Sequence, residues 1–147
     1  MKKIPFIPIL VVLVIVLGYF FINFTSLYNS FSPKINYKTQ AKTCDLHKGS
    51  CKISLGNGQI ISLEIFPKNI PLMKTLKFKI TSTKELKSLP ILKIYATNMF
   101  MGEFKLKFKK IKDKIYQANI ILPTCSVGGM KWNADMKASP FGARFQF

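Results

Sequence analysis

The chain has one histidine, one arginine, one tryptophan and six acidic residues among 147, and each shortage closes off a class of chemistry. His47 would have to serve any Ser-His-Asp or Cys-His nucleophile, and it lies in a short loop between two cysteines. A blue-copper centre needs two histidines besides its cysteine and methionine, so that reading fails. The carboxylates Asp45, Glu64, Glu85, Glu103, Asp113 and Asp135 are scattered, with Glu64 and Asp135 at outward strand positions, and no pair suggests acid–base work. Phosphate-cradling glycine loops are missing, since Gly128-Gly129 is a lone pair. With arginine reduced to Arg144, the forked contacts and stacked aromatics of nucleic-acid sites have little to build on. These absences point away from an enzyme, a small-molecule substrate and nucleic acid, and toward a binding or structural role.

Charge is also missing from Ile4 to Phe24, IPFIPILVVLVIVLGYFFINF, whose one amide is Asn23. A helix of this length is about 31 Å long, which matches the ~30 Å hydrocarbon core of a bilayer. No small-x-small cleavage site follows, so the expectation is a retained transmembrane helix over 4–24 rather than a removed signal. Met1, Lys2 and Lys3 carry positive charge up to the helix start, whereas the far side has none until Lys34. That bias predicts a single-pass inner-membrane protein with a cytoplasmic tip at 1–3 and everything after the span in the periplasm. The polar, Pro33-containing segment 25–43 shows neither helical nor strand period and reads as a stalk. Without Lys2 and Lys3 the remainder holds 21 basic residues against 6 acidic ones, a net charge of +15.

Residues 44–147 form one domain in which apolar and polar residues alternate, the mark of half-buried strands. Cys51–Leu55 and Gln59–Phe66 flank Gly56-Asn57-Gly58, whose residues tolerate the positive φ of a tight hairpin. Thr75–Thr81, Leu89–Thr97, Glu103–Lys109, Ile115–Leu122, Met130–Met136 and Phe141–Phe147 alternate in the same way, and Lys112-Asp113-Lys114 reads as a turn. The pattern predicts an all-β exported domain, an immunoglobulin-like antiparallel β-sandwich of about eight strands.

Sulfur is what remains. Cys44 and Cys51 are close enough to bridge in an oxidising compartment, although three cysteines allow three connections. A Cys44–Cys51 disulfide leaves Cys125 as an odd thiol, which suggests intermolecular pairing, a metal or a reactive site. Met99 and Met101 are two apart at a strand end before Gly102, and Cys125 lies in a loop between Pro123 and Gly128-Gly129. Thiolate and thioether ligands select Cu(I), so Met99, Met101 and Cys125, with Met130 as a fourth, make a candidate cuprous site. Met130 and Met136 are in phase with Trp132 and serve equally as core.

The anchor, the Cys-x6-Cys loop, TNMFMGEFK at Thr97–Lys105 and ILPTCSVGGMKW at Ile121–Trp132 together resemble a group of small proteobacterial single-pass membrane proteins. More distantly, one helix plus an exported immunoglobulin-like domain with a methionine-bearing strand end is similar to FixH and YtkA-like proteins. That resemblance implies assembly or copper supply of a respiratory oxidase, with a membrane or periplasmic protein complex as partner. The competing expectation is a metal-free interaction module of the cell envelope.

Overall fold

In a computed structural model of the chain, residues 6–31, 35–124, 129–138 and 141–147 are described, with helix side chains described at 7–21. The cytoplasmic tip at 1–3 and Cys125 therefore lie outside the described residues. The chain divides into two compact units, Met1–Lys34 and Ile35–Phe147.

The first unit contains α1, Phe6–Phe31, a helix of 26 residues. It runs through the first part of the segment expected to be a stalk. Apolar side chains from Ile7 to Phe21 are exposed around it. Among the described residues no helix is long and apolar enough to cross a membrane.

The second unit is two five-stranded sheets, ten strands where the alternation suggested about eight. One sheet holds β1 (Tyr37–Thr39), β5 (Ile91–Ala96), β6 (Glu103–Lys107), β9 (Trp132–Met136) and β10 (Gly142–Gln146), in the order β1-β10-β9-β5-β6. The other holds β2 (Cys51–Ser54), β3 (Ile60–Phe66), β4 (Thr75–Ser82), β7 (Lys109–Lys112) and β8 (Ile115–Ile121), in the order β2-β3-β4-β8-β7. Alternate residues face inward: Ile61, Leu63, Ile65, Leu76, Phe78 and Ile80 from one sheet meet Leu92, Ile94, Ala134, Met136 and Phe145 from the other, all buried. Each large side chain so buried contributes about 1.5–3 kcal/mol, which is what holds the two layers together.

The expected hairpin is present: Gly56 and Gly58 take φ of 84° and 71° between β2 and β3. Lys114, at φ 63°, makes the turn between β7 and β8. Two strands were not legible. Tyr37–Thr39, inside the expected stalk, pairs in parallel with β10, so the sandwich is not wholly antiparallel. Glu103–Lys109 is one strand by its alternation, yet the chain leaves one sheet after Lys107 and joins the other at Lys109. Phe108, buried at the crossing, donates its N–H to Pro90 O. All four residues of β7, Lys-Lys-Ile-Lys, are exposed at a sheet edge, where lysines discourage pairing with another chain.

The expected Cys44–Cys51 disulfide is present. It closes a loop whose Leu46 is fully buried in the core.

Candidate functional site

Strand register places the loops of the sandwich at two ends. At one end, Tyr37 lies opposite Gly142, and the β2–β3 hairpin approaches Phe141 and Lys38. At the other end, Ala96 pairs with Trp132, and Trp132 exchanges backbone hydrogen bonds with Phe147 at 2.7 and 3.1 Å. The sulfur-bearing loops belong to this second end, because β3 finishes, β4 begins, β5 finishes and β8 finishes there.

Asn98 joins two of these loops. Its Nδ2 donates to Gly129 O at 2.9 Å, and its Oδ1 accepts from Lys131 N–H at 3.2 Å. Thr97 N–H adds a bond to Lys131 O at 2.8 Å. The loop carrying Met99 and Met101 is thereby laced to the chain on either side of Met130, at the C-terminal edge of the segment that contains Cys125. Met99, Met101 and Met130 are each half-buried, and Met130 packs against the core. Phe100 between the two methionines is 95% exposed. Trp132 Nε1 is buried without a hydrogen-bond partner among the described residues. Among the described residues no trio of histidine, cysteine, aspartate and glutamate is gathered as a metal site. A metal at this end would be taken by thioethers together with Cys125.

Sequence reasoning left Met73 outside the sulfur group. In the fold Met73 N–H donates to Leu122 O at 2.8 Å, so the β3–β4 loop is joined to the chain just after β8. Met73 is exposed and holds φ 60°, a conformation that costs a non-glycine residue roughly 1–3 kcal/mol and survives only where neighbours enforce it. Its only signal in the sequence was its amino-acid type.

The second departure concerns Asp135. Alternation put it outward, and it does leave the inter-sheet core, but it is only 5% exposed. Arg144 on β10 clasps it with two bonds of 2.7 Å, from Nε to Oδ1 and from Nη2 to Oδ2, and Tyr95 donates its hydroxyl to Oδ2 at 3.1 Å. Asn133, also buried, donates to Tyr95 Oη, and Gln146 donates to Asn133 Oδ1. Gln40 closes the row by donating to Gln146 O. Tyr37 lies under the Arg144 guanidinium at 4.9 Å, and burial raises its phenol pKa. The hydrogen bonds that Arg144 donates to Asp135 raise the guanidinium pKa in turn. The pair joins β9 to β10 and keeps the Asp135 carboxylate out of solvent, with Arg144 partly exposed beside it.

His47 is exposed, and its ring lies 3.1 Å from Asp45 Oδ1, whose pKa is lowered first by the His47 backbone N–H. Comparison with protein-family models, curated proteins and solved structures finds no match for the chain.

Proposed function

We propose that the protein is anchored in the inner membrane by α1, with its N-terminus cytoplasmic, and holds a periplasmic β-sandwich of immunoglobulin type that takes Cu(I) at its sulfur-bearing end. The anchor is supported by a 26-residue helix without a charged residue, against the ~20 that a span needs. The immunoglobulin type is supported by strand order: β3-β4-β8-β7 against β10-β9-β5 corresponds to ABED against GFC. A Cys44–Cys51 disulfide suits an oxidising compartment. In this reading the protein is a binding protein, not an enzyme, and it serves the assembly or copper supply of a respiratory complex.

The observation that supports the copper reading is the Asn98 bridge, which ties the chain just before Met99 and Met101 to the backbone at Gly129 and Lys131, on either side of Met130. Soft ligands drawn from two loops on a rigid scaffold are what cuprous ion takes. The test is competition with a cuprous chelator, using the full chain in detergent under conditions that keep Cys125 reduced. Met99→Leu with Met101→Leu keeps volume and apolarity, costing under about 1.5 kcal/mol where the residues only pack. Lost copper at an unchanged melting temperature is expected, with Cys125→Ser weakening binding most. Thiolate ligation releases a proton, so affinity falls as pH falls. A wild-type chain that never competes with a weak chelator overturns the reading.

The metal-free alternative has its own observation. Phe100, almost wholly exposed between two methionines, has the form of a docking residue for a partner protein. Phe100→Ser that abolishes complex formation, in a protein whose wild-type chain does not compete for copper, favours this second reading.

A further inference from the structure

Five of the six side-chain carboxylates already hold a lysine or arginine, and the sixth, Asp45, bonds His47. Asp45 faces His47, Glu64 binds Lys68, Glu85 and Asp113 share Lys110, Glu103 binds Lys93, and Asp135 binds Arg144. On the outer face of the β2-β3-β4-β8-β7 sheet, Lys77 and Lys109 are exposed and hold no carboxylate among the described residues, while Lys79 lies across from Glu64, whose ion-pair partner is Lys68. Register sets Lys109, Gln117 and Lys79 in one cross-strand row, with Asn119 and Lys77 in the next. A groove of roughly 330 Å³ opens here, lined by Lys107, Lys109, Ile111, Gln117, Ala118 and Asn119. Lys107 and Lys109 supply its cationic groups, Gln117 and Asn119 supply amides able to donate hydrogen bonds, and Ile111 stands 57% exposed beside the lysines.

We propose that this face is a docking surface for the phosphate headgroups of an anionic lipid bilayer. Lysines are compact point charges on flexible stems, suited to a fluid array of phosphates rather than to one fixed forked contact. An exposed isoleucine inside the basic patch matches the boundary where headgroups meet acyl chains. The proposal rests on the anchoring reading above, which brings a bilayer within reach of the domain, and it is independent of copper.

The test is lysine acetylation footprinting of the full chain in nanodiscs, read by mass spectrometry. Discs of phosphatidylcholine alone are compared with discs containing phosphatidylglycerol. Lys77, Lys79, Lys107 and Lys109 are expected to react more slowly in the anionic discs, with Lys42, Lys48 and Lys137 as internal controls, and the difference is expected to vanish at high salt. Lys107→Gln with Lys109→Gln is expected to restore the reactivity of Lys77 and Lys79, each lost lysine weakening attachment about fivefold. Slowing spread evenly over all lysines overturns the proposal. So does protection produced in neutral discs by inorganic phosphate, which would mark a soluble anion site, or by polyglutamate, which would mark an acidic polypeptide partner. A chain that fails to enter discs refutes the anchor alone. The same four lysines are then footprinted against added anionic vesicles, and equal rates with and without them refute the docking face.

Discussion

Removing Arg144 should cost more than removing the carboxylate it holds, and the difference follows from burial. Asp135 is 5% exposed and its oxygens take three bonds, two of them from Arg144. Arg144→Met leaves a buried carboxylate with only the Tyr95 hydroxyl, the situation in which breaking a buried pair costs about 3–5 kcal/mol. The same change removes the guanidinium over the Tyr37 ring, worth about 0.5–1 kcal/mol. Asp135→Asn keeps an amide that can still accept hydrogen bonds, and it frees an Arg144 side chain that is already 31% exposed and can turn to water. Its cost should be about 1–2 kcal/mol. Urea and thermal unfolding followed by Trp132 fluorescence should therefore show Arg144→Met melting ~14–24 °C below wild type, at roughly 4 °C per kcal/mol for a domain of this size. The double variant should lose less than the sum of the singles, by about 1–3 kcal/mol. Single variants that cost the same, and add within about 0.5 kcal/mol, would mean that this face is solvated and the pair uncoupled.

Gly142→Ala should destabilise by about 1–3 kcal/mol, because a Cβ there would lie 2.5 Å from Tyr37 Cδ1 and force β1 off β10; a melting temperature within 1–2 °C of wild type, about what an ordinary surface substitution leaves, would show that the ring simply moves aside. Cys44→Ser with Cys51→Ser should lower stability by about 2–3 kcal/mol, the loop-closure value for a bridge of this length, and should expose the 44–51 loop, with its buried Leu46, to protease. Wild-type protease resistance in the double variant would mean that core packing of Leu46 alone holds the loop. Asp45 should titrate below the ordinary aspartate range in carboxyl NMR. Since its folded pKa is depressed, its contribution to stability is present above the unfolded pKa and lost as pH falls through the folded value. The backbone N–H of His47 is the leading cause, so His47→Ala should retain most of the depression, and a return to the ordinary value would assign it to the ring instead.

Period-2 alternation was enough to find most of the strands, because inward and outward residues of a half-buried strand differ in polarity whatever lies across the sheet. Local rules also sufficed for the Gly56–Gly58 hairpin, the Lys114 turn and the disulfide, all of which join residues close in sequence. β1 escaped because Tyr-Lys-Thr has too few residues for a period, and its pairing with β10 is a long-range contact. The break at Phe108 escaped because Leu106 and Phe108 both point inward, and alternation is blind to which sheet they point from.

The candidate site divides along the same line. Residue type alone nominated Met99, Met101, Cys125 and Met130 as soft ligands, since softness belongs to the sulfur atom. That Asn98 ties the Met99 loop to the chain around Met130, and that the Met73 backbone bonds Leu122, depends on groups meeting across separate turns. For Asp135 the alternation named the face correctly and missed the burial. Gln40 and Gln146, 106 residues apart in the chain, lie side by side in the polar row that covers Asp135. A sequence specifies which face a side chain takes, because that is settled within a strand. Whether an outward face meets water or other residues is settled only when strands distant in sequence pack beside it.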